Sequence, residues 1–435
     1  MSGTVHFKFS TVRNLIDQGI LFPPLDGNHG EIHPTTADYV SSGIPFIMAS
    51  DIDNGRIDYV GCKFISRKHA DTLRKGFAKN GDVLLTHKAT IGKTAVVNYA
   101  DEPYVMLTPQ VTYYRVKNPE QLNNLYLRYF FDSSFFQQLL HLWAGSGSTR
   151  AYLGITEQAK LPIVVPPIET QKKIAAILST YDDLIANNQR RITLLERMAE
   201  DIYREWFVRL HFPGHENVKV EKGVPQGWKL VTLEKAFKFY GGATPARDTP
   251  RFWKDGTVNW FTPTDITAAK GMFVEESSEQ CTDEGLENCS SKLFPPYSVM
   301  LTSRATIGAI GINLTPACTN QGFITCIPND AYPLAYLYHW LKLGKPHFES
   351  LSGGSTFAEL TKGTFKRMEI LTPPEPLVKQ FGQLCSPLLQ SIEAMLKANA
   401  SLKATRDSLL PRLISGRLAV DALDIRFPPR MPVSD

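Results

Sequence analysis

Residues 84–94 read LLTHKATIGKT, and residues 300–310 read MLTSRATIGAI. Their shared core, Lys88-Ala89-Thr90-Ile91-Gly92 and Arg304-Ala305-Thr306-Ile307-Gly308, recurs at an offset of 304 − 88 = 216, about half of the 435-residue chain. Solenoid units repeat every ~20–50 residues, so this spacing marks two copies of a whole domain. Four further ties fall in the same order. Asp51-Ile52 returns as Asp265-Ile266, Thr108 and Gln110 as Thr319 and Gln321, Ser148-Thr149 as Ser355-Thr356, and Pro166-Pro167 as Pro373-Pro374. The last two ties have an offset of 355 − 148 = 207, a drift that changes in loop length produce. Between the ties the copies diverge. The scaffold repeats and what it presents does not, which suits a long ligand gripped at two places.

The first copy, 1–165, carries short β-branched and aromatic runs (GDVLLT, TAVVNY, QVTYYRV) bounded by turn residues, which predict strands. LNNLYLRYFFDSSFFQQLLHL has the apolar spacing of helix. The second copy, 213–372, repeats the plan, with strands at YSVMLTS and GFITCI and a helix ending near Gly344. Each copy leads into a long helix, 166–212 and 373–424, and a tail follows at 425–435. In the first helix Ile174, Leu178, Tyr181, Ile185, Asn188, Ile192, Leu195, Ala199, Ile202 and Trp206 form a heptad seam, the pattern of a coiled coil. In the second, Leu388, Ile392, Met395, Asn399, Leu402, Arg406, Leu409 and Leu413 keep the rhythm, with Arg406 as an interruption. Pro387 sits badly in a helix interior, so a start or a kink is expected there. Asn188 and Asn399 each occupy a seam position. A buried Asn fixes register at a cost in stability; a partly solvated seam end is the other reading. The order domain, helix, domain, helix predicts an α+β, pseudo-two-fold architecture. Two repeated α/β domains are separated by two long antiparallel coiled-coil helices, the first on the order of 60 Å long.

Composition, 43% hydrophobic and 21% charged, is that of an ordinary globular protein. No apolar run reaches the ~18 residues of a membrane span, and MSGTVHFKFSTVR has no signal core, so a cytoplasmic protein is expected. The six cysteines form no CxxC pair, which suggests free thiols in a reducing compartment. Net charge is only +4. If the chain binds nucleic acid, base readout, shape or a partner's charge carries much of the affinity. There is no GxxxxGK[ST] phosphate loop, no HExxH and no GxSxG. Phe294-Pro295-Pro296-Tyr297 resembles the Asn/Asp-Pro-Pro-Tyr motif of adenine amino methyltransferases. Phe294, however, cannot accept a hydrogen bond from a target amine, and a strand-leading turn is the better reading. No catalytic or metal-binding set emerges.

The repeated residues are the binding candidates. Lys88, Thr90 and Gly92, with Arg304, Thr306 and Gly308, put a cation, a hydroxyl and a glycine in one turn, which suits a phosphate. A plain hairpin with a solvated cation is the alternative. Ser148, Thr149 and Arg150, with Ser355 and Thr356, form a second pair of loops. Gln110 and Gln321 have the donor–acceptor pair that reads adenine, or they bond their own loops. Polar loops from Asp26 to Pro34 and from Tyr240 to Pro250 open the two copies, as connectors or as recognition loops.

The chain resembles the specificity (S) subunits of type I restriction–modification systems over nearly its whole length. The resemblance rests on GIPFIMASDI and GTVNWFTPTDI, on HKATIG and SRATIG, on Pro166-Pro167…Gln171 and Pro373-Pro374…Gln380, and on GVPQGWKLVTL from Gly223 to Leu233. It implies two target-recognition domains, each reading half of a split DNA sequence. It implies two helices that hold two modification (methyltransferase) subunits, with restriction (translocase–nuclease) subunits joining them. S-adenosylmethionine, ATP and magnesium are then expected on those partners and not on this chain. Two rivals remain: a DNA methyltransferase whose motif lies at Phe294, and a scaffold of two protein-binding domains on a rod.

Overall fold

A computed structural model describes residues 9–30, 32–145, 151–352 and 358–427. The chain divides into two compact units, residues 1–185 with 400–435, and residues 186–399.

In the first unit the motif strand Val83–Lys88 is buried up to His87, a continuous run that a two-sided core demands. It lies between Thr90–Val96 and Val111–Tyr114, and Leu25–Asp26 completes this antiparallel sheet. A second sheet is centred on Ile44–Ile47, which runs parallel to Val105–Leu107 and antiparallel to Lys63–Ile65. Helices Asn124–Asp132 and Ser134–Trp143 are each started by a side-chain cap, Asn123 to the Tyr126 N–H and Ser133 to the Phe136 N–H. Phe9–Thr11 pairs with Pro162–Val164 where the copy closes.

The second unit repeats the central strands of this plan. Val299–Thr302 lies between Ile310–Asn313 and Phe323–Cys326, and Phe239–Gly241 follows. Val258–Phe261 runs parallel to Ala317–Thr319 and antiparallel to Gln280–Cys281. Lys229–Thr232 pairs with Glu369–Thr372. The Asp-Ile tie is explained by this scaffold. Asp51 accepts from the Met48 N–H at 2.8 Å and Asp265 from the Thr262 N–H at 2.7 Å, closing a turn, while Ile52 and Ile266 enter the core. Phe294 is buried, and its N–H donates to the Ala317 carbonyl at 2.9 Å. It has a packing role, as the strand-leading turn requires.

The long helices are Ile168–Tyr203, extended by a π-helical turn Arg204–Val208, and Glu375–Ile414. Each contributes to both units. In the first unit Ile174, Ala175 and Leu178 share a core with Leu410, Leu413 and Ile414. In the second, Ile192, Ala199 and Tyr203 share one with Val378, Phe381, Cys385 and Ile392. Asn188 pairs with Asn399, Nδ2 to Oδ1 2.9 Å, and Tyr203 meets Phe381 with ring centroids 5.9 Å apart, so the helices run antiparallel. The two seam asparagines are half-buried and satisfy one another.

Two expectations for the second helix are corrected. It does not start at Pro387: it begins at Glu375 and stays helical through that residue, and the seam continues upstream through Val378, Phe381 and Cys385. Pro387 and Gln383, whose carbonyl loses its donor, both face solvent, where water can replace the bond. Nor is Arg406 a defect in the seam. Its Nη1 donates to Asp182 of the first helix at 2.6 Å. Among the described residues no helix is long and apolar enough to cross a membrane.

Candidate nucleic-acid interface

Three segments meet at one end of the first copy. The hairpin turns at Ala89, which adopts φ 64°, and Lys88 and Thr90 are exposed on either side of it. The His87 N–H donates to the Gln110 carbonyl at 3.0 Å, bringing in the half-buried Gln110 turn. The Ala89 N–H donates to the Ala151 carbonyl at 3.1 Å, and Leu153 N–H to the His87 carbonyl at 3.0 Å. The opening loop arrives at Gly27, where a Cβ would lie 2.1 Å from the Leu107 carbonyl oxygen.

The second copy builds the same end. Ala305 turns the chain at φ 58°, and Arg304 and Thr306 are exposed. The Ser303 N–H donates to Gly322 at 2.7 Å, beside exposed Gln321, and Leu360 N–H donates to Ser303 at 2.9 Å. The opening loop is pinned at Gly242, where a Cβ would lie 2.1 Å from the carbonyl oxygens of Thr319 and Asn320. The Thr244 hydroxyl donates to Gln321 Oε1 at 2.8 Å, so this glutamine does bond its own neighbourhood. Ser148, Thr149, Arg150, Ser355 and Thr356 lie outside the described residues.

The glycines of the motif sit behind the tip. Gly92 has φ +91° and its missing Cβ would lie 2.2 Å from Gln137 Oε1, while Gln137 Nε2 donates to the Gly92 carbonyl at 2.8 Å. Gly308 has φ +83°, with Lys345 Cγ 2.5 Å from the Cβ position. Glycine is needed at both to seat the hairpin on the helix behind it. Gly27 and Gly242 were not singled out from the sequence. Their offset of 242 − 27 = 215 matches the neighbouring ties and was the available signal.

The pinned loops carry different chemistry. In the first copy Asp26 accepts from His29 Nε2 at 2.6 Å and from Lys75 Nζ. Burial works to raise the Asp26 carboxyl, but Lys75 and then His29 outweigh it and hold it below the usual range. In the second copy the Arg247 guanidinium lies 3.9 Å from the Trp253 ring and 4.7 Å from the Trp260 ring, and it forks onto Glu279 at 2.6 and 2.9 Å. This group also escaped the sequence reading, because its members are spread from 247 to 279 without a short motif.

Behind the first hairpin a polar chain leads into the long helices. The Thr94 hydroxyl donates to Asp132, and Arg128 reaches Asp132 at 2.9 Å and Asp182 at 2.6 Å. Asp182 also accepts from the Tyr129 hydroxyl at 2.7 Å and from Arg406 at 2.6 Å. Behind the second hairpin the helix contacts differ: Lys342 pairs with Glu200 at 2.7 Å, Glu196 accepts the Met272 N–H at 2.6 Å, and Tyr203 stacks on His339. Among the described residues no cluster of three or more His, Cys, Asp or Glu is placed to hold a metal ion.

Two copies of one scaffold, each ending in a cationic turn, agree with a sequence match. The family model described as the type I restriction modification DNA specificity domain matches residues 26–197 and again 225–403. The chain belongs to this family. The MjaIX specificity subunit of Methanocaldococcus jannaschii is 26% identical over 89% of this chain and 89% of its own length. The HindI specificity subunit of Haemophilus influenzae is 22% identical over 86% and 94%. The crystal structure of a type I S subunit from M. genitalium shares the fold, with TM-score 0.54 and 15% identity over 95% of this chain and 97% of that one. This chain is accordingly a DNA specificity subunit, a non-catalytic component of a type I restriction–modification enzyme. The methyltransferase reading of Phe294 falls.

Proposed function

We propose that each copy reads one half of a split DNA site with the end at which the hairpin turn, the glutamine turn and the pinned loop converge. The observation that carries this is the pairing of a shared frame with unlike loops. Both ends present an exposed cation and hydroxyl at a rigid turn, suited to phosphate positioning. One loop is then joined by Lys75 in an acid–imidazole–ammonium cluster, and the other carries a guanidinium seated on the indoles of Trp253 and Trp260. Unlike loops support an asymmetric site, with half-sites roughly 34–36 Å apart if both are read from one face of the duplex.

The long helices hold the modification subunits, and restriction subunits join that assembly. Leu184, Leu194, Met198 and Leu384 support this role: they lie outside the seams and are exposed, apolar surface that a partner would cover. S-adenosylmethionine, ATP and magnesium belong to those partners.

The test is a map of methylated adenines in cells carrying this gene with its neighbouring modification gene, against cells lacking only this gene. A split motif that disappears with this chain is the expected result. An unchanged map overturns the proposal.

A further inference from the structure

The Arg247 group is built for more than stability. Arg247 and Glu279 are each about half exposed, at 49% and 47%, and exposed ion pairs add little to folding. Yet this pair is unusually well held. The Trp253 N–H donates to the Ala246 carbonyl at 3.1 Å and the Trp260 N–H to the Ala243 carbonyl at 2.9 Å, so both indoles lace the loop that carries Arg247. The rings cross edge to face at 5.0 Å and 84°, and the guanidinium rests on both. Three residues before Arg247, Thr244 holds the glutamine of the interface.

The protonation states suit a neutral head. Glu279 is held below the usual carboxylate range by Arg247, so the pair stays ionised and its charges cancel. A guanidinium forked onto a carboxylate is a weaker phosphate anchor than Arg304, which meets Glu359 through Nε. The geometry of Arg247 is what remains useful. Glu279 takes one N–H from Nη1 and one from Nη2. The Nε–H and the second Nη2–H form the other parallel donor pair of the group, matched to guanine O6 and N7 in the major groove.

We propose that Arg247 is a guanine-reading residue of the second copy, and that Trp253, Trp260 and Glu279 are its positioning residues. The inference rests on the DNA-reading function proposed above.

The test uses the full chain as wild type, Arg247→Lys and Arg247→Gln, each co-expressed with the modification subunit, with methylated positions mapped by sequencing and each chain's melting recorded. Lysine keeps the charge and loses the fork. Discrimination at one guanine position should fall by about ten- to a hundredfold in one half of the site, with the other half unchanged. Glutamine should shift that position towards adenine. The same motif from all three chains overturns the proposal. So does uniform loss of methylation with normal melting, which would make Arg247 a general anchor, or early melting of both variants, which would make it a strut. If the wild-type complex writes no split motif, the DNA-reading function itself fails and this inference falls with it.

Discussion

Asp182→Ala should destabilise the first unit far more than an ordinary helix-surface change. The side chains of Arg128, Asp182 and Arg406 are only 6%, 12% and 15% exposed, so the cluster is shielded from water. Burial works to raise the Asp182 carboxyl, but Arg128 and then hydrogen bonds from Tyr129 and Arg406 hold it below 3.8. Alanine removes all three acceptor contacts together. Arg128 is left with Asp132 and Arg406 with Asp407, and the Arg128 Nε already has no acceptor among the described residues. Stripping one partner from a buried pair costs about 3–5 kcal/mol. For a unit of this size that is a fall of roughly 6–20 °C in melting temperature. Arg406→Leu should cost less, about 1.5–3 kcal/mol, because Arg128 still holds Asp182. Thermal melting of wild type, both single variants and the double variant gives the coupling, expected within about 0.5–3 kcal/mol. Hydrogen exchange should rise in Asn124–Asp132 and in the C-terminal part of Glu375–Ile414. Full additivity of the two changes, or a melting shift under about 2 °C for Asp182→Ala, would refute the account of a shared hub.

Arg304→Glu breaks an exposed pair with Glu359 at 2.9 Å, so melting should move by no more than about 1 kcal/mol, while DNA affinity falls and its salt slope drops by about one or more; unaltered affinity returns that turn to a plain hairpin. Gly92→Ala places a Cβ at φ +91° against Gln137 and should destabilise by more than about 1 kcal/mol, with weaker DNA binding as the tip shifts; a melting curve matching wild type counts against the seating role. Burial pushes the His339 imidazole down from 6.5 to about 4. The unfolded chain then binds the extra proton first, and the second unit should lose up to about 3 kcal/mol as pH falls from 6.5 through about 4. His339→Leu should flatten that part of the stability profile, and an unchanged profile would show that another group titrates there.

What was legible in the sequence is what depends on local backbone demands. The motif glycines at positive φ, Gly92 and Gly308, the capping Asp followed by a buried Ile, and the heptad seams each need particular residues at short spacing, so they recur visibly in both copies. What was illegible depends on partners brought together by folding. Arg406 looked like a flaw because Asp182 is 224 residues away. Pro387 looked like a start or a kink because its tolerance depends on the helix face it occupies. The Arg247 stack and the Asp26 cluster draw on several strands and loops, and no local pattern announces them.

The pinning at Gly27 and Gly242 bears on how such a chain changes its target. Each loop leaves a fixed point on a neighbouring strand's carbonyls and ends at a buried strand, Ile44–Ile47 or Val258–Phe261. Lengthening a loop between fixed ends costs little, since closure entropy grows only with the logarithm of length. A segment exchanged there by recombination would bring its own chemistry and leave the sheets behind it in register. New specificity could then be acquired one cartridge at a time, with the old half still in use.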